Sequence, residues 1–203
     1  MKIAILVEGK TETAFKHILL DFLKLRLQQK MPKLNFISDD GRIAKEEKLR
    51  RKVELLLTGK DAVDAVIALT DVYTGTGTKD FQDAADAKAK MRDWVGNNPK
   101  FYPHVAQHDF EAWLLPYWSR IQKLAGHNKS APGGSPEQVN HDKPPANRIK
   151  EIFELGKKRS YNKIRDGNAI LKNQDLMVSV NQCPELKAFI NTILSLCEVD
   201  LIP

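Results

Sequence analysis

The sequence predicts an α/β fold: a mostly parallel central sheet flanked by helices on both faces, with additional helices at the C-terminal end. Two observations carry this. Short apolar runs of strand length alternate with stretches whose apolar residues recur at helical spacing. The strongest of those runs are continuously apolar rather than alternating, as suits strands covered on both faces of a parallel sheet. The resulting βαβαβαβα order implies right-handed crossovers, and ligands in such sheets sit beyond the carboxyl ends of the strands.

The elements follow in order. "KIAILV" (2–7) is the first strand, and Thr11 is the expected cap of the helix "ETAFKHILLDFLKLRLQQK". In that helix Phe15, Ile18, Leu19, Phe22, Leu23 and Leu27 share one face. "KLNFIS" (33–38) reads as a weaker second strand, and "AKEEKLRRKVELLLTGK" as a helix stopped by Gly59. "DAVIALT" (64–70) is the third strand, "FQDAADAKAKMRDWVG" (81–96) an alanine-rich helix, and "YPHVAQ" (102–107) the fourth strand. "DFEAWLLPYW" is a short helix interrupted near Pro116. Residues 126–147 are rich in Gly, Pro, Ser and Asn and form a long loop, after which three helices close the fold. The expected division is an α/β core over 1–125, with the loop and C-terminal helices of 126–203 packed on it.

Bulk properties narrow the function classes. No apolar run approaches the roughly 20 residues of a membrane span, and the first residues show no export signal, so no membrane association and a cytoplasmic location are expected. Cys183 and Cys197 form no C-x-x-C pair, which fits a reducing compartment. The chain carries 32 Lys and Arg against 26 Asp and Glu, a net charge of +6 compatible with a polyanionic partner. Positive charge concentrates in "KEEKLRRK" (45–52), for which a solvated helix face is as good a reading, and in "KKRSYNKIR" (157–165). Tyr161 within the second run suits base stacking as well as phosphate contact.

Near the start, "GKT" imitates the tail of a phosphate-binding P-loop, whose first glycine would fall on Ala4. Alanine there, and the Glu8 carboxylate inside the would-be cradle, exclude that reading and with it an ATPase. Three strands instead deliver carboxylates at or just past their carboxyl ends: Glu8, Asp71, and the pair Asp109 and Glu111. Acids gathered at one sheet edge repel unless they share a proton or bind a cation. Mg²⁺ or Mn²⁺ is the expected cofactor, because hard cations take carboxylate oxygens together with water and substrate phosphate. Glu8 would serve as metal ligand or general base, with Gly9 allowing the tight turn beside it. His104 and His108 have no third partner at metal-ligand spacing; core or rim positions suit them, and His108 keeps a role beside Asp109. Trp113 and Trp118 read as core.

A strand ending in "VEGKTE", followed by a strand ending in Asp within a glycine-rich turn, resembles the TOPRIM domain. That superfamily includes topoisomerases, bacterial primases, RecR-like repair proteins and OLD-family nucleases. With "HVAQHDFEAWLL" and a later proline-rich loop, the chain is most similar to short stand-alone OLD-related TOPRIM proteins, some of which act as toxic effectors in anti-phage defence. The resemblance implies a TOPRIM-like, Rossmann-type fold and a Mg²⁺-dependent nuclease. It carries the family glutamate onto Glu8 and the first Asp of the D-x-D pair onto Asp71. The second falls on Tyr73, whose phenol, with a pKa near 10, is no substitute for a carboxylate. Glu111 is the replacement the family pattern favours; Asp109 is the second candidate, or else the cap of the helix that Glu111 begins. Lys163 in "YNK" is the expected contact to the scissile phosphate, and Gly9, Lys10, Tyr73 and His108 are candidate substrate contacts.

Two function classes follow: a metal-dependent nuclease acting on DNA or RNA, or a TOPRIM module reduced in catalysis that binds nucleic acid or a protein partner. Tyr73 favours the second and the Asp109–Glu111 pair the first. A separate ATPase protein and a second copy of the chain are further candidate partners. The chain is too short for the additional domains of a topoisomerase or primase.

Overall fold

The computed structural model describes residues 1–39, 41–72, 80–156 and 159–203; for residues 10–14 it describes the backbone alone. Four strands, β1 (Lys2–Val7), β2 (Lys33–Ser38), β3 (Ala65–Val72) and β4 (Phe101–Gln107), form one parallel sheet in the order β2-β1-β3-β4. Around it lie α1 (Lys10–Leu27), α2 (Glu46–Thr58), α3 (Ala84–Val95), α4 (Trp118–Ala125), α5 (Pro145–Leu155), α6 (Lys163–Leu171), α7 (Met177–Val180) and α8 (Pro184–Leu196). The predicted α/β class with helices on both faces is the observed one.

The pleat splits the core in two. Ile3, Ile5 and Val7 of β1, with Ile67 and Leu69 of β3, pack on Phe15, Leu19 and Leu23 of α1 and on the helices after β4. Ala4 and Leu6, with Val66, Ala68 and Val72, pack instead on Leu49 and Val53 of α2 and Met91 of α3. Phe153 of α5, Ile170 of α6 and Phe189 of α8 share the first of these cores with β1, so residues beyond the long loop belong to the same packed interior as the sheet.

Several boundaries differ from expectation for local reasons. α1 starts at Lys10, directly after a two-residue bend at Glu8–Gly9, so Thr11 lies inside its first turn rather than capping it. β3 continues to Val72 and pairs Asp71 with Ala106, which places Asp71 within the strand. α3 starts three residues late because Asp83 caps it: its carboxylate accepts from the Asp86 amide at 2.8 Å, while Asp86 accepts from the Gln82 amide. That leaves Phe81 outside the helix, buried against Trp94. The segment Phe110–Tyr117 is a 3₁₀ helix that contains Pro116, and α4 follows it. The long loop holds a 3₁₀ turn at Pro136–Gln138. From it, Glu137 accepts hydrogen bonds from the Trp113 indole (2.9 Å) and the amides of Glu185 and Leu186 at the start of α8. Among the described residues no helix is long and apolar enough to cross a membrane.

Candidate functional site

The carboxyl ends of β1, β3 and β4 open on a cleft of about 470 Å³. Glu8 enters it from the bend after β1, where Thr70 of β3 donates its hydroxyl to Glu8 Oε1. Asp71 enters from β3 and Asp109 from just beyond β4. Lys163, the first residue of α6, comes from the C-terminal helices. Its position follows from how α6 begins. Asn162 caps the helix by accepting from the Arg165 amide (2.9 Å), and buried Asp166 accepts in return from the Asn162 amide (2.7 Å) and the Arg159 guanidinium (2.6 Å).

Glu111 does not line the cleft. It lies behind Lys163, fully buried, accepting from Lys163 Nζ at 3.2 Å and from the Tyr161 hydroxyl at 3.3 Å. Burial opposes the charge on Lys163, but the carboxylates of Glu111, Asp109 and Asp71 outweigh it and hold the ammonium above its ordinary pKa. Asp109 is buried too. One oxygen, Oδ2, accepts from the Ala146 amide at the start of α5 (3.1 Å); the other, Oδ1, has no hydrogen-bond partner among the described residues. Burial, with Glu111 nearby, pushes its carboxyl up to about 7, although the Ala146 amide and Lys163 pull the other way. Asp109 therefore does not cap the 3₁₀ helix that follows it; its side chain is spent on α5.

Of the remaining candidates, Gly9 forms the bend beside Glu8, while Tyr73, the "TGTGT" turn and the Lys10 side chain lie outside the described residues. His108 is buried, and burial lowers its pKa. Its φ of +68° is a left-handed conformation that few side chains adopt. The chain holds it between the last strand and Asp109, and such non-glycine backbone outliers cluster at functional sites. His104 is buried against Phe189, with Nε2 2.9 Å from the Thr192 hydroxyl, in keeping with a core histidine. Trp113 and Trp118 are core residues.

The basic runs are less open than their composition suggests. In α2, Arg50 and Arg51 pair with Glu54 and Glu47, and Lys52 pairs with Asp39. In the second run Arg159 and Arg165 turn onto Asp166, and Lys163 onto Glu111. Tyr161 is not presented for stacking: its ring packs on Phe153 at 5.5 Å and its hydroxyl serves Glu111. Thr70, Arg42 and Asp80 also line the cleft, and the sequence reading singled out none of them. Thr70 lies next to Asp71 in the chain, so strand pairing with β1 signalled it. Arg42 and Asp80 gave no such signal, because the ion pair joining them spans tens of residues; Lys45 opens the basic run 45–52, but its pairing with Asp80 is equally distant in the chain.

The carboxylate oxygens can hold a hard cation that keeps water or substrate oxygens in its shell, and the one ammonium among them can donate to a phosphate. Among the described residues no group of three or more His, Cys, Asp or Glu side chains is placed to hold a metal ion.

Solved structures share this fold. The C-terminal region of the Burkholderia pseudomallei OLD protein aligns over 97% of this chain and 98% of that one, with a TM-score of 0.54 and 13% identity. The C-terminal region of the Xanthomonas campestris pv. campestris OLD protein aligns over 96% of this chain and 93% of that one, at 15% identity and a TM-score of 0.47, too loose to argue from. No curated protein matches the sequence. Residues 7–194 match the family described as Domain of unknown function (DUF4276), a span that runs from the last residue of β1 through β2, β3 and β4 into the last turn of α8. By that match the chain belongs to the DUF4276 family.

Proposed function

We propose that this protein is a Mg²⁺- or Mn²⁺-dependent nuclease of TOPRIM, OLD-like type, hydrolysing phosphodiester bonds of nucleic acid at the carboxyl-edge cleft. The observation that carries the reading is the meeting of Glu8, Asp71, Asp109 and Lys163 in one cleft beyond the parallel strands. The fold likeness to the C-terminal region of OLD proteins supports it. The fit of a divalent ion rests on Asp109: a buried carboxylate with one oxygen lacking a partner needs a proton or a cation. Asp109 with one of Glu8 and Asp71 would hold the ion, and water and phosphate oxygens would complete its shell, since no three of the described carboxylates are placed to hold it together. When bound, such an ion neutralises phosphate charge and lowers the pKa of attacking water.

The chain's own residues then have separable tasks. Thr70 orients the Glu8 carboxylate through its hydroxyl. Lys163 gives the phosphate a donor from its half-exposed ammonium, and Glu111 behind it fixes where that ammonium sits. Tyr161 occupies the second oxygen of Glu111, behind Lys163. A role as a defence effector, or work beside a separate ATPase protein, would fit a nuclease of this kind.

A second reading is a TOPRIM module that binds nucleic acid or protein without cutting. Two observations favour it: the Lys163 ammonium already compensates the acids, and no three-ligand group stands ready among the described residues. Incubating purified protein with labelled DNA and RNA, with and without Mn²⁺, separates the two. Metal-dependent cleavage that is lost in Glu8→Gln supports the nuclease. Mn²⁺ binding without cleavage of either polymer, even with a candidate ATPase added, gives the case to the binding module.

A further inference from the structure

The cleft has a second charged wall, supplied by the segment between β2 and α2. Arg42 Nη1 lies 2.6 Å from Asp80 Oδ2 and Lys45 Nζ 2.5 Å from Asp80 Oδ1, so each oxygen of one carboxylate is taken by a different cation. All three residues line the same cleft as Glu8 and Asp71. The segment is tied down. The Gly41 amide donates to the Glu8 carbonyl at 2.8 Å, and Asp39 accepts from both the Ala44 amide and Lys52. The Gly41–Glu8 bond keeps the two cations at a fixed offset from the acid of β1, and Gly41 accepts the φ of +144° that the turn requires. Asp80 is anchored from the α3 side, where Lys90 Nζ donates to its carbonyl at 3.2 Å and the next residue, Phe81, is buried.

Two cations on one carboxylate leave this wall with net positive charge. The cations are also the more accessible partners, at 56% exposure for the Arg42 side chain and 38% for Lys45 against 23% for Asp80. Partly exposed ion pairs of this kind are weak, so an incoming anion can exchange for the carboxylate without leaving either cation bare. A guanidinium fork with an ammonium beside it matches the oxygens of a phosphate. The cleft volume, about 470 Å³, suits a ligand of nucleotide size.

We infer that Arg42 and Lys45 form a phosphate subsite for the strand position next to the one held at Glu8 and Asp71, and that Asp80 is the internal carboxylate this phosphate displaces. The inference rests on the phosphodiester reading of the cleft. A strand crossing the cleft meets Lys163 and the acids in one place and the Arg42–Lys45 pair in another, which fixes its register. Asp80 sets the threshold for entry, because free anions must outcompete a tethered one.

The test is binding, measured on the full chain in EDTA so that no cleavage is needed. Inorganic phosphate and a 5′-phosphorylated dinucleotide are titrated while the Arg42 side-chain Nε–H resonance is followed by NMR. Wild type should show saturable shifts. Asp80→Asn should saturate at roughly threefold to tenfold lower ligand, since the competing charge is gone while its shape is kept. Lys45→Gln should weaken saturation by a similar factor, and the pair Arg50→Gln/Arg51→Gln on the solvent face of α2 should change nothing. Unaltered or weaker binding in Asp80→Asn overturns the inference. So does unaltered binding in Lys45→Gln, or equal weakening by the solvent-face pair. A protein that passes this test yet cuts no nucleic acid refutes the nuclease and keeps the subsite; one that cuts but fails it does the reverse.

Discussion

Lys163 Nζ donates to Glu111 Oε2 at 3.2 Å, tying a cation that lines the cleft to a carboxylate that solvent does not reach. Neither residue is explained alone: Glu111 needs a counter-charge to be buried, and Lys163 needs an anchor to hold its ammonium at the acids.

The first prediction concerns this pair. Lys163→Met leaves Glu111 with the Tyr161 hydroxyl as its side-chain partner and should lower stability by about 1–3 kcal/mol, a buried-pair cost discounted for the half-exposed lysine. Adding Glu111→Gln should recover part of that loss. Urea midpoints of the single and double variants check it, and any cleavage activity should be lost in both.

Glu8→Gln and Asp71→Asn should each cut metal-dependent cleavage on the order of 10²–10³-fold while leaving the thermal midpoint close to wild type. Tyr73→Asp supplies an acid two positions after Asp71 and should tighten Mn²⁺ binding, because Glu111 is committed to Lys163 and Tyr161. Calorimetric titration of Mn²⁺ across the three variants decides this; unchanged affinity in Tyr73→Asp shows the site to be complete without it.

His104 predicts a pH effect on stability. Burial lowers its folded-state pKa from 6.5 to about 3, with Lys88 and Arg92 adding to the shift. As pH falls below 6.5 the unfolded chain takes up the proton first, so this residue's contribution is intact above that pH. It is lost progressively down to about pH 3, with a limiting slope of about 1.4 kcal/mol per pH unit. Thermal midpoints between pH 7.5 and 5 should fall less steeply in His104→Gln than in wild type.

Glu137→Ala strands the Trp113 indole and the Glu185 and Leu186 amides in one step. A loss of about 2–4 kcal/mol is expected from removing a buried acceptor of several donors. Hydrogen exchange should quicken first at the start of α8. Glu137→Gln, which keeps one acceptor oxygen, should cost less.

Much of the scaffold was legible because its signals are local. The apolar runs 2–7 and 33–38 have the bounds of β1 and β2, and Gly59 and Gly96 end α2 and α3 as read. What escaped depends on distant partners. Nothing in "KKRSYNKIR" says that its arginines answer Asp166 or that Tyr161 turns inward to Glu111, fifty residues earlier in the chain. Asp80 escaped for the same reason, and the bond between Asp109 and the Ala146 amide was out of sight because that partner comes after the whole long loop. Acids at strand ends are visible in one dimension; the groups that neutralise them are not.

The bond from the Ala146 amide to Asp109 has a consequence for synthesis. A ribosome releases all four strands before either Ala146 or Lys163 has been made, since β4 ends at Gln107. A nascent chain a few residues longer has Glu8, Asp71 and Asp109 but neither Lys163 nor the helix start that receives Asp109. The cleft therefore gains its Lys163 ammonium and its Asp109 anchor only once residues 146–163 have followed the sheet off the ribosome.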